Sequence, residues 1–412
     1  MALEAGALSV TSPLGGTMDT LGPDCVAETL RRRIESATAV AATHAEAVDR
    51  EARFPGEAID ALRHARLLGV AVPRELGGEG VELAAILDVC YRLGQACAST
   101  AMIFAMHQIK VACIARHARG NAWHEELLRR LCGEQLLLAS STTEGQSGGN
   151  VRASAAAIER SADRIALERS ATVISYGAQA DGIVTTARRS ADAAPSDQVL
   201  VVFLKQDYRL EPLLTWDTLG MRGTCSAGFS LRAAGRPDQI LPEPYDGIHQ
   251  QTMVPVAHLT WSSVWAGVAA AAVARAQLLL RHAARQANGQ LPPGAAHFTR
   301  GQASLRTLLA LIAGALRHYE AAKREEGALA SLEFQTMINT AKVEASELAV
   351  ATVMSALRAC GLSGYRNDGE FSVARHLRDV LSSPLMISND RILSNIASAA
   401  LMSPLPDSPS AP

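Results

Sequence analysis

A chain of 412 residues, 48% hydrophobic and 19% charged, is long enough for two or three domains with sizeable cores. The formal net charge is −2 and no long basic run appears, so nothing points to nucleic acid. Seven scattered cysteines form no CxxC pair, which predicts buried free thiols in a reducing compartment rather than a metal site or disulfides.

Residues 1–25 are small and rich in Gly, Pro and Ser, and predict a mobile extension. MALEAGALSVTSPLGG carries an acidic residue and no basic n-region, unlike a secretory leader. Residues 26–135 have a helical texture. In FPGEAIDALRHARLLG, Pro55 stands near a first turn, and Ile59, Leu62 and Ala65 recur at helical spacing up to Gly69. VAVPRELGGEG is a turn-rich connector. STAMIFAMHQIKVACIARHA is a second striped helix, on which His107 and His117 read as core or partly buried histidines.

Residues 136–245 change period. AAAIERSADRIALERSATVIS reads as strand, turn, strand, and DGIVTTARR and QVLVVFLK are β-branched runs. Residues 246–402 return to helix, in three long stretches and a shorter fourth that predict an antiparallel bundle. The third long stretch ends at Gly361 in a C-cap role. Val254 to Ala274 has only His258 as a titratable residue, but Pro255, Thr260, Ser262 and Ser263 dilute it. A buried bundle helix is therefore expected rather than a membrane span, in a soluble cytoplasmic protein. Residues 403–412 predict a disordered tail.

No strand–GxGxxG–helix unit, P-loop or GxSxG is present, and no His/Glu pair has metal-ligand spacing, so no metal is expected. What stands out is SSTTEGQSGGN at 140–150, rich in hydroxyls and glycine. Such a loop is either an ordinary interdomain turn or a wrap for a polar, flat or phosphorylated ligand.

SSTTEGQSGGN resembles the Thr-Glu-Pro-Gly-x-Gly-Ser-Asp loop of the acyl-CoA dehydrogenases, a family of flavoproteins. ATVISYGAQAD resembles the family's Trp-Ile-Thr-Asn segment, and LGMRGTCS its Gly-x-Arg-x-Ser-x-Thr stretch. FPGEAIDALRHARLLGVAVPRELGGEG and GLSGYRNDGEFSVARHLRDV are similar to its first helix with Gly-Gly turn and its late Tyr…Arg-Asp segment. The likeness runs in order over 27–402. It implies an α+β fold with an N-terminal helical domain, a middle β domain and a C-terminal four-helix bundle.

The resemblance also implies FAD. Thr143, with Gly148 and Gly149 of the same loop, would hold the flavin, and Ser175 would hydrogen-bond near its N5. Arg285 would reach the pyrophosphate of a neighbouring copy, although Asn288 replaces the pattern's phenylalanine. Arg358 stands where the family has glutamine, and Gly361 matches a glycine that lets backbone approach the cofactor. The implied assembly is a homotetramer or homodimer, and the implied partners are an acyl-CoA or acyl-carrier-protein thioester and an electron-transfer protein.

One departure bears on chemistry. The family's glutamate removes the thioester α-proton while flavin takes the β-hydride. Counted from Asp379, its place falls on Ile387. A base carried instead on the long bundle helix would fall in VPVAHLTW, making His258 the first candidate, since neutral imidazole titrates near about 6.5. A small register shift would make it Asp390, which has Arg391 beside it. Three readings follow: α,β-desaturation with a relocated base, a flavin monooxygenase that needs no α-proton base, or a non-catalytic homologue.

Overall fold

A computed structural model of the chain describes residues 23–144 and 152–402. Helices come first: α1 (Pro23–Glu51), α2 (Gly56–His64), α3 (Leu83–Ala96), α4 (Ala98–His117) and α5 (Ala122–Glu134). Pro55 stands at the N-cap of α2. That helix is shorter than its apolar spacing predicts. Arg66 turns left-handed at φ 52°, and Leu67 and Leu68 enter the core beyond it. α4 is buried on nearly every side, which is why its sequence is apolar almost all round.

Strands follow: β1 (Leu138–Ser141), β2 (Glu159–Arg160), β3 (Ile165–Ala171), β4 (Gly182–Arg188), β5 (Gln198–Leu204), β6 (Tyr208–Leu214) and β7 (Gly228–Gly235). One sheet has the order β1-β4-β5, with β1 parallel to β4. The other, antiparallel, has the order β2-β3-β7-β6. β5 is buried at every position, as its unbroken apolar run requires, whereas β3 alternates and presents one face to the core.

Helices return with α6 (Tyr245–Ile248), a π turn (His249–Met253), α7 (Val254–Gln286), α8 (Ala295–Ala322), α9 (Leu332–Cys360), α10 (Leu362–Tyr365), α11 (Ala374–Val380) and α12 (Asn389–Met402). α7, α8 and α9 pack together, and α12 lies on α9 as the shorter fourth. Gly361 caps α9 at φ 57°, donating its N–H to the Leu357 carbonyl at 2.9 Å. α3 lies along α7 with backbones touching, because a side chain at Gly267 would collide with the Tyr91 carbonyl. One hydrophobic core therefore runs through all three regions.

His107 joins the helical and β parts. Its Nδ1 accepts from the Leu138 N–H at 3.1 Å, so Nε2 carries the proton and donates to the Leu68 carbonyl at 2.9 Å. Burial pushes His107 and His124 down to about 4 and His258 to about 3, and holds His376 well below its ordinary value. The unfolded chain protonates these imidazoles at about pH 6.5 and the folded chain does not, so stability is complete above that pH and lost as pH falls below it. Asp379, raised to about 6 by burial, works in the opposite direction over the same range, one carboxyl against these four imidazoles and those of His117 and His249, which burial lowers too. The expected result is a urea midpoint that drops steeply between pH 7 and pH 5, by about 1.4 kcal/mol per pH unit for each histidine. A midpoint that holds steady over that interval would show that these rings protonate in the folded state.

Candidate active-site cavity

A cavity of about 590 Å³ opens between the β strands and the helices. Its walls come from α4, the chain leaving β1, the segments after β3 and before β7, the turn entering α7, and residues 378–387. Two of the segments that carry the family resemblance close one side. A Cβ on Gly220 would strike the Arg378 carbonyl, and the Met221 N–H donates to Asp379 Oδ1 at 2.7 Å. LGMRGTCS and ARHLRDV are thus clamped together across about 150 residues of chain.

The β side of the cavity is a run of hydroxyls. Ser226 Oγ donates to Ser175 Oγ at 2.8 Å, and Thr224 Oγ1 meets Ser226 Oγ at 2.7 Å. Thr142 and Thr143 line the same cavity. Hydroxyls both donate and accept, which suits the polar edge of a flat heteroaromatic ring. Tyr176, Met221 and Cys225 adopt left-handed backbone around this run, at φ 44°, 55° and 45°. Glu144, beside Thr143, is not available as a base. Its carboxylate is buried against Arg169 and accepts from Ser154 Oγ and the Ala155 and Ala156 N–H groups.

Ile387 lines the cavity with φ 46°, a strained conformation for a β-branched residue. Lys342 holds it there. Its fully buried ammonium donates to the carbonyls of Ser383 (3.1 Å) and Ile387 (2.7 Å) and to Asn389 Oδ1 (2.8 Å). Asn389 in turn donates to Ser346 Oγ and Glu347 Oε1.

The helical side carries groups not singled out from the sequence. Met102, Met106, Ile109 and Lys110 form one face of α4 toward the cavity. Lys110 Nζ meets the Met253 sulfur at 3.7 Å, and Tyr245 Oη meets the same sulfur at 3.4 Å. His249 lines the cavity from the π turn; both its ring nitrogens are buried without a partner among the described residues, and burial lowers its imidazole to about 4. The turn forms because Pro255 has no N–H for the Gln251 carbonyl, which accepts from Arg116 at 3.4 Å instead. Lys110 was legible as a cation at i+4 and i+8 from two methionines of a buried stripe; His249, in a polar connector, gave no such signal. No carboxylate lines the cavity among the described residues.

The sequence-derived residues separate into groups. Thr143, Ser175 and Ile387 come together on the cavity. Gly148 and Gly149 lie outside the described residues. His258 faces elsewhere. Val254, Ala257 and Trp261 put one face of α7 on the cavity, and His258, at the edge of that face, turns its ring away toward α8 and α9. It borders a void of about 10 Å³ against α8 and α9, and its Nε2–H donates to Asn339 Oδ1 at 3.2 Å. Asp390 is exposed in the first turn of α12. Neither His258 nor Asp390 lines the cavity, whereas His249 does. Arg285, Arg358 and Gly361 are exposed at the opposite end of the bundle, where Gly294 backs onto the Ala359 carbonyl.

A helix–β–helix chain with its large cavity between sheet and bundle has the acyl-CoA dehydrogenase fold. Residues 26–159 match the family model of the acyl-CoA dehydrogenase N-terminal domain. The chain is 24% identical over 364 residues to the probable acyl-CoA dehydrogenase FadE25 of Mycobacterium tuberculosis, covering 88% of this chain and 91% of that one. Among solved structures it is similar to FMN-bound TdsC from Paenibacillus, with TM-score 0.79 and 20% identity over 91% of this chain and 98% of that one. Butyryl-CoA dehydrogenase from Megasphaera elsdenii gives TM-score 0.73 and 19% identity over the same shares, 91% and 98%.

Replacing Lys342 by Met removes three donors at once. The variant is expected to lose about 3 kcal/mol of stability in urea and to show faster amide exchange at 383–389. Unchanged exchange there would mean that the segment holds its shape without the ammonium.

Proposed function

We propose that the chain is a flavin-dependent oxidoreductase of the acyl-CoA dehydrogenase type, acting on the CH–CH bond next to an acyl thioester, with His249 as its base. One observation carries this reading: a single cavity joins the hydroxyl wall of Thr143 and Ser175 to an imidazole whose nitrogens have no partner among the described residues, with Ile387 on the same lining. The residues fit a flavin, whose polar ring edge would meet Thr143 and the Ser175–Ser226 pair. A bound flavin supplies the acceptor for the β-hydride.

The α-proton goes to His249. At neutral pH the ring is unprotonated, since burial keeps it near 4. Negative charge developing on the substrate beside the ring raises its basicity as the proton moves. Water is limited by the surrounding methionines, which mould to the acyl group.

FAD rather than FMN belongs to the same reading, with Arg285, Arg358 and Gly361 gripping the phosphate end of a cofactor seated in a neighbouring copy. Their exposure at the far end of the bundle supports this, because they do not line the chain's own cavity. The reading carries with it a homodimer or homotetramer, a thioester on CoA or acyl carrier protein, an electron-transfer partner and a cytoplasmic location.

A second reading, a flavin monooxygenase on this fold, is favoured by the absence of any carboxylate from the cavity among the described residues. Anaerobic addition of an acyl-CoA panel separates the two. Bleaching of the flavin bands by a thioester alone is expected, with His249→Ala retaining flavin but bleaching about 100-fold more slowly or worse, and His258→Ala close to the parent. Unbleached flavin, together with oxygen incorporation that depends on a supplied reductant, would establish the second reading instead.

A further inference from the structure

Two buried ammonium groups in this chain have opposite surroundings. Lys342 donates to three oxygens. Lys110 is 4% exposed, and its only hydrogen-bond partner among the described residues is the Met253 thioether at 3.7 Å. Sulfur is a weak acceptor, so this ammonium is left short of acceptors where burying charge is costly.

The neighbouring groups do not supply what Lys110 lacks. Trp261 lines the cavity, and its buried Nε1, a donor only, has no partner among the described residues. Nor do the two His249 nitrogens, and Arg378 is already paired with Asp49. A cavity that presents a cation and free donors without an acid selects a ligand that brings acceptors and negative charge. Along α4, the Met102, Met106 and Ile109 side chains lead to Lys110 and suit a run of methylenes.

We infer that the acyl group this cavity takes ends in a carboxylate, and that Lys110 receives it. This rests on the thioester reading and names its substrate class. No bond changes at the carboxylate; the anion is bound near His249, whose ring feels the Lys110 charge, and the short chain between carboxylate and thioester is positioned by it.

The test compares pairs of acyl-CoAs of equal carbon number, from four to eight carbons, with a methyl or a carboxylate terminus (hexanoyl-CoA against adipoyl-CoA, for example). Binding to the flavin-loaded protein is measured by calorimetry, independently of bleaching. The carboxylate member is expected to bind about tenfold more tightly or better in at least one pair. Lys110→Met should erase that preference and Lys110→Arg should keep it; Lys110→Gln replaces the methionine variant if that one does not fold. Equal binding throughout, no binding of either member, or a preference that survives Lys110→Met would overturn the inference. A preference without bleaching leaves the carboxylate site standing and removes the desaturation reading; bleaching by both members without a preference does the reverse.

Discussion

The cavity depends on how one buried charge is satisfied. Lys342 sits fully inside the bundle, 5.4 Å from the Trp265 ring, and an ammonium there needs three acceptors. It finds them in two carbonyls and one amide of the 383–389 segment, so that stretch cannot follow its own preferences. Ile387 is driven to a positive φ that its branched side chain resists. The result is a wall held by hydrogen bonds to main-chain atoms, which leaves the side chain at 387 free to vary. A glutamate or an isoleucine can stand there without disturbing what supports it.

That separation explains which parts were legible in the sequence. The alternation of helix, strand and helix follows from hydrophobic period, and so does the unbroken apolar run of β5. Pro55 and Gly361 could be read because each has a backbone role that few other residues fill. Thr143, Ser175 and Ile387 were found because short motifs fix their place relative to nearby turns. His258 shares its side of α7 with the cavity-lining Val254 and Trp261, yet its ring bonds Asn339 of α9, and position in a motif does not fix which neighbour a side chain turns to. The π turn at His249–Met253 shifts the phase of α7 again, and its cause involves Arg116, far away in sequence.

The two lysines also show why composition alone understates a site. Both lie in apolar helices and both are lowered to about 8 by burial, yet one is a strut and the other lacks an oxygen partner among the described residues. Only the neighbours distinguish them. A cation that a fold satisfies internally serves stability, whereas one left against a thioether costs stability unless something else binds it.

The same logic bears on how a base can move within one fold. Removing a carboxylate from the wall at 387 also removes the negative charge that would repel an anionic substrate. A neutral imidazole on the π turn keeps a proton acceptor in the cavity without restoring that charge. The cation at Lys110 then has no competing acid among the described lining residues and is free to select the ligand. In the proposed reading the base and the substrate's charge go together: a neutral imidazole and an aliphatic residue 387 leave no acid among the described lining residues, so an anionic ligand would meet no like charge there.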